Sequence, residues 1–394
     1  MTVKSDIDGI VQRITPTLVS LRRALHQKPE LAFEEHETAR EIQKYLTGLG
    51  LPVRAGIGRT GVAALVTGVR PGRVIGVRAD IDALPVTEQS GVSFASTIQG
   101  RMHACGHDAH TVIALGVAHV LSELRDRLRG SAKLIFQPAE ETLAGAAAMI
   151  ADGVLEDPRM DLMLGYHNWP PLDTGLIGYH TGAVMASSDA FDIVLKGTAA
   201  HAAHPHNGVD ALVGAAQLVS ALQTVISREI APAIPAVLTI GQIEGGTARN
   251  VIADRVVLRG TARTLDNAAS KRVEEAVRRI SEGVARTLRL TCEITWTRQT
   301  PVLRNDAVLL GKVLDSIRAV AGADNVVELG AASMGSEDFA WYGEHMPLAH
   351  LKFGSKIDGL DTAIHRSNYA CNEQMIPLAI RAVTHAVVDL LEEG

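Results

Sequence analysis

Apolar side chains recur with helical spacing at the start of the chain. They predict an amphipathic helix over residues 6–27, whose apolar face consists of Ile10, Ile14, Leu18, Leu21 and Leu25. Pro29 ends this helix, and a second helix is expected from Thr38 to Leu49, just before Gly50. The polar residues around the break are expected at the surface: His26, Glu30 and Glu35.

Short apolar runs flanked by glycine and proline follow, and they have the length of strands. A helix is predicted from about His110 to Leu128. The strands predicted around it cover residues 62–66, 74–77, 133–137 and 162–166. Strands that alternate with helices indicate a largely parallel sheet with helices on its faces. This part of the chain is therefore predicted to be α/β.

The pattern changes near Gly182. The strands predicted beyond it cover residues 189–195, 237–243, 256–261 and 290–297, and the helices cover 209–226 and about 267–288. This order indicates a small α+β domain with helices on one face of an antiparallel sheet. A helix over residues 306–320 returns to the earlier pattern. We predict one domain made of residues 1–183 and 299–394, interrupted by a second domain of residues 184–298.

Three strands of the first domain lead directly into polar side chains. Asp80 follows one strand, the pair Glu140–Glu141 follows another, and His167 follows a third. The carboxyl ends of parallel strands place their functional groups at one edge of the sheet. We therefore expect these groups to lie close together.

The segment Met102–His110 adds three histidines, a cysteine and an aspartate within nine positions. Imidazole, thiolate and carboxylate are the ligands that zinc prefers. Cys105 and His107 are separated only by Gly106, so a sharp turn can aim both at one ion. The alternative is a helix N-terminus that happens to carry histidines.

Together with Glu141, His167 and His365, this segment supplies enough ligands for two metal ions. Two ions about 3.5–4 Å apart can activate a water molecule and polarise a carbonyl. Amide hydrolysis also needs a group that moves a proton, and in the pair Glu140–Glu141 one glutamate can bind metal while the other serves as base and then acid. The pattern does not say which glutamate does which, and a solvated acidic turn is the alternative for the pair.

The second domain carries two further candidate segments. His201, His204 and His206 lie close together in the sequence, which fits a third metal site or, as we favour, a loop with surface histidines. Arg263 suits a substrate carboxylate, although a structural salt bridge is the commoner role of an arginine.

Composition narrows the function classes. The 394 residues, 46% hydrophobic and 21% charged, suit two ordinary domains. The net charge of −6 and the lack of a basic block argue against nucleic-acid or membrane-surface binding. No apolar run has the length of a membrane span. Three widely spaced cysteines and an N-terminus without the layout of a signal peptide favour the cytoplasm.

Taken jointly, the motifs resemble the M20 metallopeptidase family, and specifically its amidohydrolase branch of aminoacylases, hippurate hydrolases and auxin-conjugate hydrolases. The matching segments are Met102–Asp108, Gln137–Glu141, His167–Pro170, His201–His206 and His365. The resemblance implies a catalytic domain interrupted by a lid domain, which also forms a homodimer or a higher homo-oligomer. It implies two divalent metal ions, with zinc favoured by the cysteine and manganese, nickel or cobalt as alternatives.

The resemblance also assigns roles to residues. The implied metal ligands are Cys105, His107, Glu141, His167 and His365. Glu140 would be the general base, and Asp80 would orient a ligand. His201 would reach the active site of a partner subunit and steady the oxyanion, while the implied substrate contacts are Asn250 and Arg263. The sequence departs from the wider family at Arg78, where a ligand histidine is usual, which is consistent with the use of Cys105 instead.

These roles predict a metal-dependent amidohydrolase that cleaves the acyl–nitrogen bond of N-acyl amino acids. A metal-held hydroxide would attack the carbonyl, Glu140 would take its proton, and His201 would stabilise the oxyanion. Alternatives that use the same site are dipeptidase, aminopeptidase and N-carbamoyl amidohydrolase activity. A rival of another class is a metal-binding protein of the same fold that performs no catalysis.

Overall fold

The computed structural model describes residues 3–393 of the chain, which form two compact units. The first unit contains the chain up to Val184, the segment Arg304–Ala331 and the chain from Asp338 onward. The second contains Met185–Leu303 and Ala332–Glu337. The unit boundaries lie at 184/185 and 303/304, against 183/184 and 298/299 in the predicted ranges, and residues 332–337 also belong to the second unit. The pattern gave no sign of that last segment because it contains neither a helix nor an extended strand.

The first unit is built on one eight-stranded sheet. Its strands are β1 (Val53–Ile57), β2 (Gly61–Thr67), β3 (Arg70–Asp80), β4 (Arg129–Gln137), β5 (Leu162–Trp169), β6 (Ile177–Tyr179), β13 (Val326–Glu328) and β14 (Leu348–Gly354). They follow the spatial order β1-β2-β4-β3-β5-β14-β6-β13. The central strands β4, β3, β5 and β14 are parallel, whereas β1 with β2, β2 with β4, and β6 with β14 are antiparallel. The prediction of a largely parallel sheet is confirmed.

The helices of this unit are α1 (Val3–His26), α2 (His36–Gly48), α3 (His107–Leu124), α4 (Gly145–Ala151), α7 (Ala307–Ala321) and α8 (Met375–Glu392). Helix α3 packs against α1 and α8, and all three contribute to one hydrophobic core with the sheet. Helix α3 begins at His107, although its apolar periodicity suggested a start at His110. Its first turn is polar yet completely buried, so the apolar pattern alone missed that turn.

The second unit contains a four-stranded antiparallel sheet made of β8 (Ser188–Lys196), β9 (Ala236–Gly245), β10 (Arg255–Thr264) and β11 (Thr291–Thr300). Its strands follow the spatial order β11-β8-β10-β9. Helices α5 (Ala211–Thr224) and α6 (Asn267–Thr287) pack with these strands around a separate core. This arrangement confirms the predicted α+β character. Two short strands, β7 (Ala183–Met185) and β12 (Leu303–Arg304), pair with each other.

The central sheet of the first unit has two different faces. Side chains alternate between the faces of a strand. On β3, Val77 and Ala79 belong to the apolar core formed with the helices, whereas Arg78 and Asp80 point to the opposite face. Arg78 and Asp80 are nevertheless fully buried. The sheet therefore carries buried charges on one face and apolar side chains on the other.

The expectation that His26, Glu30 and Glu35 lie at the surface was wrong for two of the three. His26 and Glu35 are buried, and Glu30 is partly buried. Each of the two buried groups has polar partners: His26 binds Asp108 at 2.8 Å, and Glu35 accepts a hydrogen bond from the backbone of Ala139 at 2.9 Å. Partners that are distant in sequence compensate the burial, and a local pattern cannot indicate them.

Among residues 3–393, we find no helix that combines the length and the apolar character needed to cross a lipid bilayer.

Candidate metal centre

The strand ends meet as the sequence predicted. Strands β4, β3 and β5 are neighbours, and Asp80 at the end of β3 lies opposite Gln137 at the end of β4. Glu140 follows β4 after a tight turn, and His167 lies near the end of β5. Three segments that are far apart in sequence therefore deliver their polar groups to one edge of the sheet.

Cys105 in the loop before α3 and His107, the first residue of α3, lie at this same edge. Gly106 between them has a positive φ of 83°, which favours glycine. A Cβ at this position would collide with the hydroxyl of Tyr369 and the amide of Asn168. Glycine is therefore required both for the turn and for the close approach of these side chains.

All five predicted metal ligands come together in the structure. Their ligand atoms form two overlapping groups, in each of which every atom lies within 4.8 Å of the others: Cys105, His107 and His167 in one, and Cys105, Glu141 and His365 in the other. The sulfur of Cys105 lies 3.3 Å from Nε2 of His167. Chemically, this is a set of thiolate, carboxylate and imidazole groups suited to a borderline-soft divalent ion.

The C-terminal part of the chain contributes the fifth predicted ligand, His365. Nε2 of His365 lies 3.3 Å from Oε2 of Glu141. The backbone N–H of His365 donates a hydrogen bond to the carbonyl of Ala104 at 2.8 Å, next to Cys105. His365 is also the most exposed of the five, with 52% of its side chain accessible. It therefore lies on the open side of the centre.

Two buried atoms at the centre have no hydrogen-bond partner: Nε2 of His107 and Oε1 of Glu141. They face each other across 3.8 Å, which is too long for a hydrogen bond. Nδ1 of His107 donates to Asp82, whose carbonyl and carboxylate oxygens can only accept. When the ring is neutral, as metal binding requires, its lone pair is therefore on Nε2. An unpaired nitrogen lone pair opposite an unpaired carboxylate oxygen suits a bound cation.

The electrostatics of the centre also favour positive charge. Burial lowers the pKa of His107, but the carboxylates of Asp80, Asp82 and Glu141 outweigh it and raise that pKa to about 10. Burial raises the pKa of the Glu141 carboxyl, with His107 opposing the shift and Asp82 and Asp80 adding to it. The shift of His107 reflects the buried negative charge around it, and burial is the main cause of the shift of Glu141. A divalent ion would offset this negative charge.

The other two imidazoles have the properties of ligands. Burial and the neighbouring His110 hold the pKa of His167 well below its usual value. Burial and the charge of His107 also lower the pKa of His365. Both rings are therefore neutral near pH 7, as metal binding requires. Nδ1 of His167 donates to the carbonyl of Asn168 at 2.5 Å, which leaves Nε2 facing Cys105.

Asp82 is a functional residue that the sequence reasoning missed. Its Oδ1 accepts from Nδ1 of His107 at 3.2 Å, and its Oδ2 accepts from the backbone N–H of Glu141 at 3.0 Å. One carboxylate thus holds two predicted ligands from different segments, as supporting groups of metal sites do. The second aspartate of Asp80-Ile81-Asp82 is the sequence signal that could have indicated this role.

Asp80, for which the resemblance implied such an orienting role, has other close partners. Its Oδ1 lies 2.6 Å from Nδ1 of His110, and its Oδ2 lies 2.7 Å from Arg78 and 3.7 Å from Nε2 of His107. The nitrogen of His107 that needs an acceptor, Nδ1, is held by Asp82 instead.

Glu140 lies beside the ligands, with Oε2 4.0 Å from Nε2 of His107. It forms a compact group with His107 and Glu141, whose candidate ligand atoms lie within 4.8 Å of one another. The turn that aims Glu140 contains Ala139 at φ 53°, a left-handed conformation unusual for alanine. The carboxylate of Glu35 accepts from the N–H of Ala139 and so supports this turn.

The remaining predicted residues lie in the second unit. His201 and Asn250 are neighbours, because Ala202 donates its N–H to the carbonyl of Asn250 at 3.0 Å, and His201 is exposed. Arg263 is bound elsewhere in that unit, where it donates to Oγ of Ser336 at 2.9 Å and to the carbonyl of Met334 at 3.3 Å. The structure thus groups His201 with Asn250 and joins Arg263 to the segment around Ser336.

Comparison with known proteins identifies the family. The family model described as peptidase family M20/M25/M40 matches residues 76–389, which include every predicted site residue. The chain belongs to the peptidase family M20/M25/M40. The M20 resemblance inferred from the motifs is therefore confirmed.

Relatives of this M20 chain include proteins named as hydrolases. The N-acetyl-L-cysteine deacetylase of Bacillus subtilis (strain 168) is 42% identical over 359 residues, which cover 91% of this chain and 85% of the relative. The N-acyl-L-amino acid amidohydrolase of Geobacillus stearothermophilus is 40% identical over 282 residues, covering 71% and 76%. The solved structure of the Bacillus subtilis YXEP protein, a dinuclear metal binding peptidase, matches with a TM-score of 0.85 and 35% identity, covering 97% and 99%. The M20 chain is therefore a metal-binding amidohydrolase.

The arrangement around Asp82 gives a prediction for this M20 enzyme. In Asp82→Asn, the new amide group can no longer accept hydrogen bonds from both His107 and Glu141. We expect divalent-metal affinity to fall by roughly 10–100-fold, measured by competition with a chromophoric chelator. The matched control is Asp161→Asn, because Asp161 also accepts a backbone N–H, from Val74 at 2.7 Å, but does so away from the centre. Equal metal affinities in the two variants would contradict the role of Asp82.

Proposed function

We propose that this M20 hydrolase cleaves the acyl–nitrogen bond of N-acyl amino acids and releases a carboxylic acid and a free amino acid. The observation that carries the proposal is the position of Glu140. It is a nearly buried carboxylate within 4.0 Å of a predicted ligand, and the five predicted ligands do not include it. The names of two relatives, a deacetylase of N-acetyl-L-cysteine and an amidohydrolase of N-acyl-L-amino acids, support this substrate class.

Two divalent metal ions would be held by Cys105, His107, Glu141, His167 and His365. When bound, such ions polarise the scissile carbonyl and lower the pKa of an attacking water molecule. The orphaned Nε2 of His107 and Oε1 of Glu141 fit this group, as does the excess of buried carboxylates. The thiolate of Cys105 favours zinc, with manganese, nickel and cobalt as alternatives.

Glu140 would move the proton. Its carboxylate takes a proton from the attacking water and later delivers it to the leaving nitrogen, which would otherwise depart as an unstable anion. Glu141, which contacts His365 and His107, is the ligand of the pair in this proposal. The pattern of the sequence left this division of labour open, and these contacts support the assignment of Glu140 as the base.

The second unit would supply the remaining groups. We propose that His201 donates a hydrogen bond to the developing oxyanion in the active site of a partner subunit. Its exposure leaves the ring accessible to such a partner. Asn250, next to it, and Arg263 would contact the amino-acid part of the substrate, with the guanidinium of Arg263 directed to the carboxylate. This proposal requires at least a homodimer.

A substrate panel tests the reaction. The enzyme, stripped of metal and reloaded in turn with zinc, manganese, nickel or cobalt, is assayed with N-acyl amino acids, dipeptides and N-carbamoyl amino acids. We expect release of free amino acid from the acyl compounds, dependent on added metal and abolished by a chelator. Faster turnover of dipeptides or of carbamoyl compounds would favour those alternative activities, and no hydrolysis with any metal would leave a metal-binding protein without catalysis.

The role of Glu140 predicts a separation of binding from turnover. Glu140→Gln preserves the size of the side chain but removes the base, so kcat should fall by roughly 10²–10⁴-fold while metal content stays at the wild-type level. Glu141→Gln is the matched comparison, since loss of a ligand should lower metal affinity itself. Metal loss in Glu140→Gln, or near-normal turnover, would refute the assignment.

The role of His201 predicts complementation between subunits. His201→Ala and Glu140→Ala should each be nearly inactive, because one lacks the oxyanion donor and the other lacks the base. Mixed dimers of the two variants contain one site with both wild-type residues and should regain part of the activity. Activity that fails to return after verified subunit exchange would show that His201 does not act across a dimer.

A further inference from the structure

His110 is a buried histidine that none of the proposed steps uses. Its side chain has no exposed surface and lies in the first turn of α3, three residues after His107. Its Nδ1 donates to Oδ1 of Asp80 at 2.6 Å. Its Nε2 accepts from the backbone N–H of Asn168 at 2.8 Å. Both ring nitrogens are therefore engaged, in one defined tautomer.

These bonds separate His110 from the metal ligands around it. Its ring nitrogen lies in a compact group with ligand atoms of Asp80 and His107, so distance alone would allow metal binding. A metal ligand, however, needs a free lone pair, and the one on Nε2 points to the N–H of Asn168. His110 is therefore a hydrogen-bonding link within the protein.

Asn168 connects this link to two predicted ligands. It directly follows His167 on β5, so the bond to His110 fixes the backbone next to that ligand. Its side-chain amide donates to the carbonyl of Cys105 at 2.5 Å, and the same amide nitrogen lies 3.1 Å from Nε2 of His110. The ring centroids of His110 and His167 are only 4.6 Å apart.

Arg78 anchors the other end of the chain of contacts. Its guanidinium binds Oδ2 of Asp80 at 2.7 Å, Oδ1 of Asp338 at 2.9 Å and the amide oxygen of Gln137 at 3.0 Å. These bonds keep Asp80 charged and oriented, so that its other oxygen always accepts from His110. The contacts run in the order Asp338, Arg78, Asp80, His110 and Asn168, and every member is fully or almost fully buried.

We propose that His110 is a positioning residue, which holds Asn168 and thereby sets the separation of Cys105 and His167 for metal binding, with Arg78 and Asp80 fixing its orientation. The proposal rests on the assignment of Cys105 and His167 as ligands. It also gives a function to Arg78, a fully buried arginine. A supporting network of this kind raises affinity by holding the ligands in place before the ion binds.

The test measures metal binding in the full-length enzyme. Asp80 and Asn168 bind the two nitrogens on opposite sides of the His110 ring. Glutamine carries its donor and acceptor on one terminal amide, so His110→Gln cannot form both hydrogen bonds in this geometry. We expect affinity for zinc to fall by roughly 10–100-fold, and the thiolate-to-metal absorption band of the cobalt-loaded protein to weaken or shift as Cys105 moves. The matched control is His350→Gln, because His350 is 1% exposed and neither ring nitrogen has a hydrogen-bond partner. Its zinc affinity and cobalt spectrum should equal those of the wild type.

A second variant covers the case in which His110→Gln does not fold. Arg78→Lys keeps the buried positive charge but cannot bind Asp80, Asp338 and Gln137 together, so it should show a smaller loss of zinc affinity and the same spectral change. Folded variants with wild-type affinity and spectrum would overturn the proposal. A wild-type enzyme without a thiolate band would instead refute the ligand assignment itself, whatever its hydrolytic activity.

Discussion

The concentration of negative charge at one edge of the parallel sheet is the constraint on which the rest of this structure depends. Four carboxylates lie together there, within or next to strand ends, and their side chains are buried or nearly so: Asp80, Asp82, Glu140 and Glu141. Buried carboxylates are tolerated only when cations or hydrogen-bond donors compensate them. The centre therefore has to contain positive charge or hydrogen-bond donors, and the residues that contact the carboxylates supply them.

The negative charge is compensated in two different ways at two carboxylates that both lie near Nε2 of His107. Asp80 is compensated permanently by Arg78 and by the N–H of His110. Glu141 faces two histidines, His365 at 3.3 Å and His107 at 3.8 Å. The permanent compensation of Asp80 involves fully buried residues and stabilises the fold. The incomplete compensation of Glu141 lies beside the half-exposed His365, where a divalent ion would bind.

The parts of this design that are local in sequence could be predicted. Cys105 and His107 stand two positions apart, and Asp80, Glu140 and His167 follow recognisable strands, so spacing and strand ends indicated them. Parallel strands then required them to meet. The two faces of the sheet at the end of β3 also follow from alternation, because Arg78 and Asp80 each lie between apolar residues.

The supporting residues could not be predicted, for a physical reason. Asp82, Glu35 and His110 act through hydrogen bonds to groups in other segments, and their roles depend on which nitrogen or oxygen faces the site. The two aspartates of Asp80-Ile81-Asp82 look equivalent in sequence. In the structure, however, Asp80 accepts a hydrogen bond from His110 and Asp82 accepts one from His107. Glu35 resembles a surface residue until the N–H of Ala139 is brought to it by folding. Such roles are properties of the assembled edge.

The same dependence explains why the site and the fold are coupled. The five predicted ligands come from the loop before α3, the turn after β4, the end of β5 and a loop near the C-terminus, which are brought together only in the folded unit. An ion that binds them joins these segments, so its binding free energy also stabilises their arrangement. Cys105, His107 and His167 are buried and braced by hydrogen bonds, whereas His365 is half exposed on an irregular segment. An ion bound at the centre would therefore join the half-exposed His365 to three ligands that hydrogen bonds already hold in place.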